Sequence, residues 1–277
     1  MSLRISTNVA SINAQQNLRR NQMGMEKSLA RLSSGYRINQ AADDAAGLAI
    51  SENLKAQIRG LKQASRNSED GVSLVQVAEG GLQEVSNMLI RLRELGVQAA
   101  SDTIGETERK FLDVEYQQLK SEIQRISEVT QFNGRDLLNG TGGVIDIQVS
   151  THNDPFKDRI SFNSSAANSS LESLGMTAEG LATKEQAQMS LTVTDGAMLS
   201  VNAMRANFGA MQNRLQSTIA NLSVSHENLS AANSRIRDTD VAEESAELTR
   251  NNILMQAGVS VLSQANQTQN IALKLLQ

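Results

Sequence analysis

Residues 201–236, VNAMRANFGAMQNRLQSTIANLSVSHENLSAANSRI, decide the fold. Val201, Met204, Phe208, Met211, Leu215, Thr218, Leu222, Ser225, Leu229, Ala232 and Ile236 recur at strictly alternating intervals of three and four. That alternation places them on one narrow stripe of a long helix, the seam of a coiled coil about five repeats long. A first-half partner runs through Leu54, Leu61, Val75, Ala78, Leu82, Val85, Leu89 and Leu92, interrupted at Ser68 and Gly71 and fading at Gly96 and Ala99. Leu112, Tyr116, Leu119, Ile123, Ile126 and Thr130 keep the same rhythm. Three long amphipathic helices with narrow stripes bundle to bury them, and the expected seam contacts are Leu82, Leu89, Met204, Phe208, Met211, Leu215, Leu222 and Leu229.

Composition agrees with a bundle rather than a globule. The 277 residues contain no Trp, two Tyr, five Phe and one proline, so large core rings and helix breakers are both scarce. The absence of cysteine excludes disulfides, thiolate metal sites and a Cys nucleophile, and leaves the compartment open. A net charge of −4 argues against nucleic acid as a partner. The start, MSLRISTNVASINAQQNLRR, has no long apolar run, which predicts neither a cleavable secretory signal nor membrane insertion.

The rhythm changes at Phe132-Asn133-Gly134. In NGTGGVIDIQVSTHNDPFKDRISF, residues 139–162, Ile145, Ile147 and Val149 alternate with polar residues. Ile160 and Phe162 repeat that period of two beyond Asn153-Asp154-Pro155, which predicts a β-hairpin over about 143–163. The following Ser-, Ala- and Gly-rich stretch has no period and reads as a surface connection.

Both termini are poor in charge. Between Arg250 and Gln277 there is no acidic residue, whereas Asn and Gln occur nine times around Leu254, Ala257, Val261, Ala265, Ala272 and Leu275. Val9, Ile12, Leu18, Met25, Leu29 and Leu32 lie in a similar setting at the other end. Isolated helices with such thin stripes gain little by folding alone, so both ends are expected to order on packing with other copies.

No residues assemble into a catalytic, cofactor or metal site: His152 and His226 lack metal-ligand spacing, and Gly80-Gly81 and Gly140–Gly143 match no phosphate loop. Asp43-Asp44 and Glu243-Glu244 fall at helix starts, where carboxylates cap free N–H groups, and Asp240 with Glu243 has the form of a capping box.

Several strings are more specific. ISTNVASINAQQNL (5–18), LARLSSGYRINQAADDAAGLAIS (29–51), SRNSEDGVSLVQVAEGGLQEVSNMLIRLRELGVQAAS (65–101), TQFNGRDLL (130–138), LSVSHENLSAANSRIRDTDVAEES (222–245), NNILMQAGVSVLSQANQ (251–267) and the terminal LKLLQ occur in one order. In these the chain resembles the bacterial flagellins, over residues 1–174 and 187–277.

The resemblance implies a mainly α fold, a long antiparallel coiled-coil bundle with a small β-hairpin and paired N- and C-termini. It implies terminal helices at 1–33 and 245–277 forming an inner tube, spoke segments at 34–46 and 236–244, and a bundle from 47–174 and 187–235. A short connection at 175–186 stands where larger relatives insert outer domains. The implied role is structural, with no enzyme activity and no cofactor: a subunit of the extracellular helical filament used for swimming, exported through the flagellar type III channel. Polymerisation contacts would come from Val9, Ile12, Leu18, Leu254, Ala257, Val261, Ala265 and Leu275.

The implied partners are further copies of the chain, an export chaperone at the C-terminal helix, and the filament cap and hook-junction proteins. By the same resemblance, Arg91, Leu95 and Glu115 would contact the vertebrate flagellin-sensing Toll-like receptor. Ser164, Ser165, Ser169, Ser170 and Thr177 would be O-glycosylation sites. A hook–filament junction protein shares flagellin-like terminal helices, and SRIRDTDVAEES and TQFNGRDLL favour flagellin over it. Apart from the resemblance, the heptads alone also suit an intracellular coiled-coil adaptor.

Overall fold

The computed structural model describes residues 7–274, with side chains through 267. Five helices carry the chain: α1 (Val9–Ser34), α2 (Ala45–Ala100), α3 (Glu106–Val129), α4 (Lys184–Arg237) and α5 (Val241–Lys274). Between α3 and α4 lie two short antiparallel hairpins, β1 (Gln131–Phe132) with β2 (Arg135–Asp136), and β3 (Val144–Gln148) with β4 (Arg159–Asn163). Contacts divide the chain into two compact units, Gln57–Glu227 and the combined Met1–Ala56 and Asn228–Gln277. The division falls inside α2 and α4 rather than at a linker.

In the unit 57–227, α2 runs antiparallel to both α3 and α4. Arg93 pairs with Asp195 at 2.7 Å and Arg205 with Glu79 at 2.9 Å, one end against the other. Val75, Ala78, Leu82, Val85, Leu89 and Leu92 of α2 are fully buried, as the spacing predicts. The small residues that interrupt the stripe are part of it. Ala64, Ser68 and Ala99 are buried, and a Cβ on Gly71 would stand 2.7 Å from Ile147 and 3.4 Å from Leu215. Absence of a side chain at 71 is therefore what lets β3 and α4 close onto α2.

On α4 the heptad divides by depth. Val201, Phe208, Leu215 and Leu222 are buried, while Met204, Met211, Thr218, Ser225 and Leu229 are half-exposed. The Phe162 ring of β4 stacks on Phe208 at 5.4 Å, fastening the hairpin to the seam. Strand register pairs Ile145 with Phe162 and Ile147 with Ile160, which sends the alternating apolar residues to the helical side. Asn133 and Gly134 both take positive φ, 50° and 75°, the demand of a two-residue turn between β1 and β2.

The stretch after β4 is a correction to the sequence reading. It opens with a 3₁₀ turn, Ser164–Ala167, and its Ala167, Leu174, Met176 and Leu181 are buried. Lys120, itself buried, donates to the Thr177 carbonyl at 3.2 Å and the Glu179 carbonyl at 2.7 Å. Asp113 accepts from the Leu181 N–H at 2.6 Å. An irregular strap held by hydrogen bonds needs no period, so periodicity could not reveal its packing. Burial pushes the Lys120 ammonium below its ordinary pKa.

The loop from α2 to α3 is closed by Arg109, which is buried and donates to the carbonyls of Ala99 and Ser101, both at 2.8 Å. It satisfies carbonyls that the end of α2 leaves without helical partners. Arg109→Ala should lower unfolding free energy by about 1–3 kcal/mol through those unpaired groups. A denaturant midpoint unchanged from the parent chain would contradict that role.

Candidate assembly interface

α1 and α5 form an antiparallel pair. Asn8 Nδ2 donates to the Ala265 carbonyl at 3.0 Å at one end, and Arg31 pairs with Glu244 at 3.2 Å at the other. The covered positions of α1 are Ser11, Ala14, Leu18, Asn21, Met25, Ser28 and Leu32, spaced three and four. Those of α5 are Glu244, Leu248, Asn251, Met255, Gly258, Leu262 and Ala265, again alternating. This is a coiled-coil seam made largely of small and polar residues.

Small residues set how near the helices come. A Cβ at Gly258 would stand 2.8 Å from the Leu18 side chain, and one at Gly24 would stand 3.0 Å from the Asn251 amide. Ser11, Ala14, Ser28, Glu244 and Asn251 are the most buried members. Leu18, Leu32, Leu248 and Leu262 are half-buried in the seam, while Val9, Ile12, Met23, Leu29, Ile253, Leu254, Val259 and Val261 are all exposed. Val261 keeps 59% of its surface open.

The expected assembly residues thus divide in two. Leu18 and Ala265 are half-buried in the seam, whereas Val9, Ile12, Leu254, Ala257 and Val261 face outward; Leu275 lies outside the described residues. An exposed face fits assembly among copies, because within one chain nothing covers it among the described residues. Ser245, Ala246, Thr249, Arg250, Ile253 and Leu254 line a shallow groove along α5.

A short crossing joins this pair to the inner ends of α2 and α4. Arg37 N–H donates to the Arg237 carbonyl at 2.7 Å, and Thr239 N–H donates to the Gly35 carbonyl at 3.0 Å. The Arg237 guanidinium lies 4.8 Å from the centre of the Tyr36 ring and pairs with Glu52. Lys27 pairs with Asp43 at 2.8 Å, while Asp44 accepts from Gly47 N–H at 2.8 Å and starts α2. Asp240 accepts from the N–H groups of Ala242 and Glu243 at 2.8 and 3.2 Å, so it caps α5. Within the second expected spoke segment, 236–244, helix resumes at Val241, and Glu244 pairs with Arg31 in the seam.

Arg91 and Glu115, both exposed, pair at 2.9 Å, and Glu94 also accepts from Arg91. These two carboxylates raise the Arg91 pKa. Leu95 is 1% exposed and belongs to the core, which corrects its expected role as a receptor contact. A four-residue step turns a helix 40° beyond a full turn, enough here to carry Leu95 from the surface to the buried stripe. Among the expected modification sites, Ser164 and Ser169 are fully buried. Ser164 Oγ donates to the Leu137 carbonyl and Ser169 Oγ to the Leu138 carbonyl, which removes both from the surface. Ser165 and Thr177 are exposed and Ser170 is half-exposed.

In the crossing, Lys27 holds the Asp43 carboxyl below its ordinary 3.8, and Arg237 holds Glu52 below 4.5. A depressed carboxyl pKa stabilises the folded chain above the ordinary value, and that stability is lost as pH falls through the depressed one. Lys27→Met should therefore move the Asp43 titration up toward 3.8, as read from its carboxyl carbon shift. An unmoved titration would remove Lys27 as the cause.

Family models for the bacterial flagellin N-terminal helical region and C-terminal helical region match residues 5–142 and 191–276. The chain is 45% identical to a flagellin of Halalkalibacterium halodurans over 273 residues, covering 99% of each. It is 41% identical to the flagellin of Bacillus subtilis over 305 residues, covering 99% of this chain and 100% of that one. The crystal structure of Bacillus cereus flagellin is similar at 35% identity and a TM-score of 0.51, covering 61% of this chain and 94% of that one. A flagellar hook-associated protein from Vibrio parahaemolyticus, at 15% identity and a TM-score of 0.58, shares the fold. With both helical regions matched and whole-length relatives of this identity, the chain belongs to the bacterial flagellins, as a minimal member of that structural family.

Proposed function

We propose that the chain polymerises into the extracellular flagellar filament through the outward faces of α1 and α5. One observation carries this reading: the seam within the chain buries only Ser11, Ala14, Ser28, Glu244 and Asn251 and half-buries Leu18, Leu32, Leu248 and Leu262, while Ile12, Leu29, Leu254 and Val261 stay in water. Each apolar side chain left exposed forgoes roughly 1.5–3 kcal/mol that full burial would supply. Neighbouring copies can bury them, and low charge on α5 beyond Arg250 keeps that contact free of unpaired ions.

Before assembly the same face needs cover, so an export chaperone would bind α5 over Leu254 and Val261. Filament cap and hook-junction proteins, as members of the same assembly, would meet the same terminal helices. The vertebrate Toll-like receptor would read the exposed Arg91–Glu115 pair without Leu95. Ser165, Ser170 and Thr177 are the remaining candidates for O-glycosylation. Monomer carrying Arg91→Ala and Glu115→Ala should lose receptor reporter activity; activity equal to the parent monomer would end that assignment.

Val261→Asp tests the central reading, because the site is open in the single chain. Its monomer should unfold within about 0.5 kcal/mol of the parent. Its seeded polymerisation should fail, since a carboxylate buried without a partner costs several kcal/mol. Filaments of normal length from this variant would show that α5 does not bury this face. Removal of residues 251–277 should likewise leave the unit 57–227 folded by circular dichroism and abolish polymerisation.

A further inference from the structure

The loop between β3 and β4 presents an aromatic ring to water. Phe156 is 91% exposed and Lys157 beside it is also open. The loop beneath them is braced. Asp158, buried, accepts from Asp154 N–H at 2.7 Å, and Asp154 accepts from Phe156 N–H at 3.0 Å. Gln148 donates to the His152 carbonyl at 2.6 Å. That backbone hydrogen bond from Asp154 holds the Asp158 carboxyl below its usual range, so the brace is charged at neutral pH. A rigid loop that holds a large ring in solvent gives up its burial without gaining flexibility, which is the economy of a preformed contact.

A groove of ≈ 590 Å³ runs along β3 of the same unit, from Val144 to Gln148. Phe132, Val144 and Ile145 supply its apolar lining, and Asp70, Arg135 and Asp146 its charges. Val144 is 57% exposed there. The groove rim carries two carboxylates, Asp70 and Asp146, for which the exposed Lys157 ammonium, 3.5 Å from Asp154 in its own loop, could exchange its present partner. We propose that Phe156 of one copy seats in this groove of a second copy, with Lys157 against its acidic rim. Donor residues and acceptor residues differ, so the contact is head-to-tail, the kind that builds an open helical polymer when its rotation does not close into a ring. This rests on the polymerisation proposed above and adds a second contact, outside the α1 and α5 faces.

The chain has no tryptophan, so Phe156→Trp supplies a unique emission probe. In monomer its emission should be that of indole in water, and in seeded filaments it should shift to the blue and lose access to a soluble quencher. Adding Val144→Arg, at an already exposed site, should cancel the shift in whatever filaments form. Phe156→Ala should raise the critical concentration for assembly about tenfold, a loss of about 1.4 kcal/mol per contact. Lys157→Glu should raise it too, with Asp70→Lys restoring it in part. Filaments whose Phe156→Trp emission matches the monomer overturn the contact while leaving polymerisation intact. A shift that persists with Val144→Arg overturns the groove as the acceptor. Failure of the parent chain to polymerise from seeds overturns both proposals.

Discussion

The structure depends on how little the α1–α5 seam buries. Two helices joined through Ser11, Ala14, Ser28, Asn251 and Gly258 approach closely, yet they remove little apolar surface from water. Asn8 to Ala265 and Arg31 to Glu244 fix their register through polar contacts. Such a pair specifies geometry more than it supplies stability. Its own leucines, Leu18, Leu32, Leu248 and Leu262, are only half-buried and Ile12, Leu29, Leu254 and Val261 point away, so the pair is complete only when other copies cover them. The same constraint explains why α5 beyond Arg250 carries amides in place of most charges: amides satisfy one another when buried, while unpaired ions do not.

The unit 57–227 follows the opposite rule. Its core closes within one chain, with Tyr116, Phe162, Leu82, Leu89 and Ile123 fully buried and Phe162 stacked on Phe208. Half-exposed Met204 and Met211 lie at the edge of that core. The two units thus differ in kind: one closes its core within the chain, and the other leaves aliphatic side chains exposed. The crossing through Arg37, Arg237 and Thr239 uses backbone hydrogen bonds together with the buried side chain of Ile38 on the passage between helices.

The heptads made most of the fold legible. Eleven positions of α4 and the stripe of α2 follow helical geometry directly, and the alternation of Ile145, Ile147 and Val149 marks the hairpin. Three things were not legible. Ser68, Gly71 and Ala99 read as gaps although they are closely packed points of α2, because a hydropathy stripe ignores size. The strap around Leu174, Met176 and Leu181 is held by Lys120 and Asp113, residues distant in sequence and not periodic with it. At the interface, large aliphatics at the termini were visible, but which of them the chain itself would cover was not. Alternating spacings through Ser11, Ala14 and Ser28 on α1 and Glu244, Asn251 and Gly258 on α5 held that answer, in residues that hydropathy scores as polar or small. The resemblance, which carries residues over without regard to burial, named Leu95 beside Arg91, and helix phase puts it in the core.

Amide hydrogen exchange of α1 and α5, measured on monomer and on filament under the same conditions, tests the claim that this pair is stabilised from outside. A seam of small residues predicts opening free energies near those of fraying segments in monomer, well below those of α2 and α4, and protection rising to the level of the bundle in filament. Equal and high protection of α1 and α5 in both states would contradict it, because the pair would then be stable through its own seam.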